Sequence, residues 1–92
     1  MDFKKISPNR QQWEVYKYVI NLSPNVTVTQ IKNAMEKDFG ISITRTFILN
    51  ALERFVLTKN LTVKNHIYNI REERINEYSE YSFLNYLNNY SL

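Results

Sequence analysis

The sequence predicts one small domain, mainly α-helical, with a single short β-hairpin. Three observations predict it. Apolar residues recur at helical spacing in three segments between residues 8 and 58, and each segment opens on a capping signal. Over residues 61–70 the apolar period falls from 3.6 to 2. At 92 residues and without cysteine, the chain buries roughly two-thirds of its unfolded surface, enough for one core without staples. Residues 1–7 read as an N-terminal arm, 8–70 as the core and 71–92 as an additional C-terminal helix.

The first helix opens at Ser7-Pro8, where Ser caps free amides and Pro suits the first turn. Trp13, Tyr16 and Ile20 form its apolar stripe, widened by Val15, Val19 and Leu22. Pro24 ends it by disfavouring helical backbone at the residue before it. Thr27-Val28-Thr29-Gln30 then fits a capping box, Thr27 capping forward and Gln30 reaching back, with Val26 and Ile31 placed as a hydrophobic staple. The second helix buries Ile31, Ala34 and Met35 and ends at Asp38-Phe39-Gly40, where Gly40 suits a left-handed cap. A third helix follows with Ser42 or Thr44 as its cap. Ile48, Ala51, Leu52 and Phe55 form its inward stripe. Thr46, Asn50 and Glu53, flanked by Arg45 and Leu49, lie on the opposite side. It stops near Lys59-Asn60, with Asn standing in for a terminal glycine.

Leu61-Thr62-Val63-Lys64 and Ile67-Tyr68-Asn69-Ile70 flank Asn65-His66 as the arms of a two-residue hairpin. Pairing Lys64 with Ile67 also pairs Val63 with Tyr68 and Leu61 with Ile70. Leu61, Val63, Tyr68 and Ile70 then share a half-buried face. From Arg71 the helical period returns, with Ile75, Tyr78, Ser82, Tyr86 and Asn89 on one stripe and Phe83 and Tyr90 beside it.

Composition removes several classes of chemistry. Without cysteine there is no thiolate metal site or thiol catalysis, and the single histidine, His66, rules out a two-imidazole site within one chain. The only glycine, Gly40, leaves no material for a phosphate-cradling loop. His66 sits at a hairpin tip, a poor place to hold a general base, and the acidic pairs Glu72/Glu73 and Glu77/Glu80 lack a pocket. Neither catalysis, a metal nor a cofactor is expected. No apolar run exceeds three residues, far below the ~20 of a membrane span, and Met1-Asp2-Phe3-Lys4-Lys5 lacks a signal peptide's apolar stretch. A soluble cytoplasmic module is the expectation. Residues 1–70 carry ten Lys/Arg against five Asp/Glu, while residues 71–92 carry two against four. A basic body with an acidic tail accommodates a polyanionic partner without proving one.

The order helix, helix, tight turn, helix, hairpin, helix resembles a winged helix-turn-helix domain. The residues that carry the likeness are Thr27-Val28-Thr29-Gln30-Ile31, Phe39-Gly40-Ile41-Ser42, Ile48 with Leu52 and Phe55, and the Leu61–Ile70 hairpin. The resemblance covers about residues 8 to 70. It implies that the third helix enters the major groove of duplex DNA, the second braces it, and the hairpin wing touches the backbone or minor groove.

Residue chemistry fits that implication. Arg45 can fork onto guanine, Asn50 can bridge adenine, and Thr46 serves either partner or a thymine methyl. Thr29, Gln30 and Lys32 open the preceding helix, where amides and a cation suit a phosphate. Ser42 and Thr44 in the turn, and Lys64 and Asn65 in the wing, complete the expected DNA contacts. Each of these is also explained by a solvated polar face with caps at its ends. Ile75, Tyr78, Ser82, Phe83, Tyr86 and Tyr90 offer a homodimer surface, which would set two recognition helices on successive major-groove faces. Those rings could instead cover the domain's own core. The expected function is a small homodimeric transcriptional repressor binding a specific duplex sequence. A plasmid or phage partition adaptor on centromere repeats is the alternative with the same chemistry, and a winged-helix protein-interaction module is the alternative without DNA.

Overall fold

Local signals decide where each helix begins. In the computed structural model, which describes residues 2–72, Ser7 caps helix α1 (Pro8–Leu22) by accepting the Arg10 amide at 3.3 Å. The capping box forms in full ahead of α2 (Val28–Phe39). Thr27 Oγ1 accepts the Gln30 amide at 3.2 Å, and Gln30 Oε1 accepts the Thr27 amide at 2.9 Å. Gly40 closes α2 in the left-handed conformation at φ 66°. Thr44 caps α3 (Arg45–Leu57), accepting the Phe47 amide at 3.1 Å, whereas Ser42 stands exposed in the turn.

The end of α3 departs from the expectation. The left-handed residue is Lys59, at φ 62°, one position before Asn60. The Lys59 amide donates to Val56 O at 3.1 Å and the Asn60 amide to Phe55 O at 2.9 Å, the paired bonds of a Schellman cap. The Asn60 side chain is used otherwise, donating to Thr58 Oγ1 at 2.8 Å.

Strands β1 (Leu61–Lys64) and β2 (Ile67–Ile70) pair antiparallel, Leu61 with Ile70, Val63 with Tyr68 and Lys64 with Ile67. Asn65 and His66 both adopt positive φ, 53° and 63°, as a type I′ turn demands. Only part of the expected apolar face is covered. Leu61 and Tyr68 are buried, but Val63 near the tip is 44% exposed. Helices α3 and α1 pack against β1 and β2, while Ile67, paired next to the turn, is exposed like Val63. Val26 adds one rung outside β2, exchanging both backbone bonds with Tyr68 at 2.8 and 2.9 Å.

The architecture is therefore three helices and a two-stranded antiparallel hairpin. Val15 and Val19 of α1, Ile31 and Met35 of α2, and Ile48, Leu52 and Phe55 of α3 are inaccessible to solvent. Leu61 extends this core into the hairpin. Tyr16 stacks on Phe55 with centroids 4.7 Å apart, and Trp13 stacks on Tyr16 at 5.1 Å. Ala34, Ile20 and Leu22 lie at its margin, half-buried.

The N-terminal segment is no detached arm. Phe3, in a single 3-10 turn (Phe3–Lys5), is buried, stacked on Phe39 at 5.0 Å and edge-on to Phe47 at 5.9 Å. Gln11 Nε2 holds the turn by donating to Phe3 O at 3.0 Å. Of the C-terminal helix expected over residues 71–92, residues 73–92, among them Ile75, Tyr78, Ser82, Phe83, Tyr86 and Tyr90, lie outside the described residues.

Candidate nucleic-acid interface

The inward stripe of α3 fixes what its other side displays. Because Ile48, Ala51, Leu52 and Phe55 are buried, Arg45, Thr46, Leu49, Asn50 and Glu53 face solvent together. Arg45 is the first residue of this helix and has no acidic neighbour in the first turn. A guanidinium thus adds to the positive pole of the helix dipole, an arrangement that attracts anions. Its Nη1 donates to Thr29 Oγ1 at 3.1 Å, so the opening turns of α2 and α3 lie side by side.

The turn between these helices is held from within α2. Lys32 Nζ donates to both carboxylate oxygens of Glu36 at 3.0 Å, and Glu36 Oε2 also accepts the Ile43 amide at 2.8 Å. The Ile43 amide, and then Lys32, hold the Glu36 carboxyl below its ordinary range. Phe3 packs against Phe39, which precedes the same turn, and Phe47, which follows it. Tyr18 braces the far end of α2, its hydroxyl donating to Asp38 Oδ2 at 2.6 Å. Burial and the adjacent Asp38 carboxylate push the Tyr18 phenol well above its ordinary range.

Against the residues expected from sequence, Arg45, Thr46 and Asn50 share one exposed face, with Thr29 hydrogen-bonded to its edge. Gln30 is exposed, but its Oε1 is committed to the capping box. Thr44 Oγ1 is likewise occupied as an acceptor. Lys32 is half-buried and ion-paired, so a phosphate contact there would compete with Glu36. Lys64 and Asn65 are exposed at the hairpin tip, away from α3 in sequence but beside a shallow groove of about 250 Å³ that Thr62 and Asn69 also line. Asn69 is clasped to the loop after α1, accepting the Asn25 amide at 2.9 Å and donating back to Asn25 Oδ1 at 3.2 Å.

Glu36 is the residue that sequence reasoning missed. Its i,i+4 spacing from Lys32 made the ion pair visible, but nothing local announced the bond to Ile43.

Among the described residues no group of His, Asp or Glu is arranged to hold a metal ion, and no helix is long and apolar enough to cross a membrane. No family model, curated protein or solved structure matches this chain.

Proposed function

We propose that this protein is a winged helix-turn-helix DNA-binding protein that reads duplex DNA through α3. The single observation that carries the reading is the exposed face of α3, on which Arg45, Thr46 and Asn50 stand together beside a braced turn. Groups that hydrogen-bond base edges are useful only when a rigid scaffold aims them, and the Glu36 bracket and the Phe3 cluster supply that rigidity. Val26, β2 and β1 form the wing, with Lys64 and Asn65 at its tip for the backbone.

The proposed role is a cytoplasmic transcriptional repressor acting as a homodimer, without cofactor or catalysis. The residues beyond Arg71, Ile75 to Tyr90, are proposed for the pairing surface on the strength of their aromatic stripe. A protein-interaction module is the second reading, favoured by Leu57, which is 73% exposed at the end of α3.

Fluorescence anisotropy of the full chain, on duplexes from the DNA flanking its gene, tests the proposal. Affinity is expected to fall with salt, each neutralised phosphate contributing about −0.9 to the slope of log affinity against log salt. Absence of binding at low salt overturns the proposal in favour of the interaction module.

A further inference from the structure

We infer that Leu49 reads the C5-methyl group of a thymine, as a specificity-determining contact of the proposed DNA-binding face. The inference rests on that reading of α3 and adds the chemical group that one of its side chains recognises.

Leu49 is a large apolar residue left 40% exposed among hydrogen-bonding neighbours. Arg45 lies one turn before it and Glu53 one turn after it, with Thr46 and Asn50 alongside. At 100° per residue these five positions span an arc of about 140°. Leu49 lies about 40° from Arg45 within that arc and is less exposed than a free side chain, which leaves part of its apolar surface open to a ligand.

Such a residue has few physical uses in water. A protein-docking surface needs a contiguous apolar patch. The next exposed apolar residue on α3 is Leu57, two turns and about 12 Å further along the axis, with Glu53 between them. Val63 and Ile67, the other large exposed apolar residues among those described, belong to the hairpin. Val56, seven positions on, is half-buried against the core, so Leu49 is the one large exposed apolar residue among Arg45, Thr46, Asn50 and Glu53. The floor of the major groove has the matching pattern, since each base edge there presents donors and acceptors and only thymine adds an apolar group. Asn50, the next residue, has the chemistry for adenine. Together they favour a site in which an A·T pair lies under the middle of α3.

The experiment uses the full chain and duplexes selected from a random-sequence library. Each thymine of the selected duplex is replaced in turn by deoxyuridine, which lacks only the methyl group. Wild type is expected to lose about fourfold in affinity at one position, the equivalent of ~0.8 kcal/mol for one buried methyl. Leu49→Ala is expected to bind the selected duplex more weakly and to be indifferent to uracil at that position. Wild type indifferent to uracil everywhere, while still sequence-specific, overturns the thymine contact and leaves the DNA-binding reading standing. Uracil sensitivity that persists in Leu49→Ala assigns the methyl to another residue and also overturns it. If no duplex is selected at all, the DNA-binding reading fails and this inference with it.

Discussion

Glu36 accepts the backbone amide of Ile43 at 2.8 Å, so a carboxylate near the end of α2 holds the turn that aims α3. Ile43 is itself buried, and its amide would otherwise have to find another partner within the turn. Lys32 closes the bracket from the other side at 3.0 Å. One ion pair thus bears on the turn that leads into α3, although neither charge lies on α3.

This bracket makes stability depend on acid. Glu36 titrates below its ordinary range in the folded protein because the Ile43 amide and Lys32 favour the charged carboxylate. A lowered folded value means that the contribution is complete above the ordinary glutamate value and is lost as pH falls through the folded one. Urea melts between about pH 3 and 7 are expected to show a steeper acid loss for wild type than for Glu36→Ala. Glu36→Gln keeps an acceptor for Ile43 and is expected to fall between the two at neutral pH. Equal acid slopes in wild type and Glu36→Ala would rule the bracket out as a stabilising element.

Phe3 packs against residues that precede and follow the same turn. Its ring fills the space between Phe39 and Phe47, which flank the Gly40–Thr44 turn in sequence. Phe3→Ala is expected to cost about 3 kcal/mol, in the range of buried aromatic truncations. Thermal melting is the check, and a midpoint unchanged within a degree or two contradicts the packing.

How much of this was legible depended on the range of the interaction. The caps were legible because each is settled within four residues: Ser7, Thr27 with Gln30, and Gly40 all act on neighbours along the chain. The hairpin register was legible because period-2 alternation leaves one pairing that puts Leu61 and Tyr68 on the same face. Phe3 was not legible, because one aromatic in a short polar segment has no period and its partners lie 36 and 44 positions on. Val26 pairing with Tyr68 was hidden likewise, since a one-residue bridge has no strand pattern. At the candidate interface, helix periodicity identified the exposed face of α3, but the engagement of Lys32 by Glu36 alters which cation is free to meet a phosphate. At the end of α3, intrinsic propensity favours Asn60 for the left-handed position, but the cap geometry places it at Lys59.

Tyr18 and Asp38 join α1 to the last turn of α2 through a 2.6 Å bond on the surface. Tyr18→Phe is expected to lower stability by about 1 kcal/mol, the usual net worth of such a hydrogen bond. The edge-on packing of the ring against Phe39 is retained in that variant, which isolates the hydroxyl. Denaturant midpoints for the two proteins measure it, and equal midpoints dismiss the bond.

His66 adopts φ 63° at the second turn position, where a side chain is strained and glycine is not. His66→Gly is expected to stabilise the protein by a few tenths to about 1 kcal/mol, relief of strain outweighing the added chain entropy. A fall in thermal midpoint would show that His66 makes a compensating contact. The same substitution leaves Lys64 in place, so its effect on DNA affinity at fixed salt is expected to be small.

The last prediction separates base reading from backbone contact. Arg45, the first residue of α3, and Asn50, five positions later, are both exposed on that helix, whereas Lys64 stands at the tip of the hairpin. Base-edge contacts discriminate sequences, but phosphate contacts do not. Arg45→Ala or Asn50→Ala is therefore expected to cost roughly 1–3 kcal/mol on a selected duplex and much less on random DNA, narrowing the gap between them. Lys64→Ala is expected to weaken both about equally and to lower the salt slope by about 0.9 if the wing neutralises one phosphate. Thr29→Val provides the control for Arg45, because it removes the 3.1 Å tether without removing the guanidinium. If the tether aims Arg45, Thr29→Val loses specificity in the same direction as Arg45→Ala but to a smaller extent. Anisotropy titrations of these variants on both duplexes supply the comparison. An Arg45→Ala protein with unchanged affinity and unchanged discrimination would remove α3 as the reading element, whatever the salt dependence of wild type.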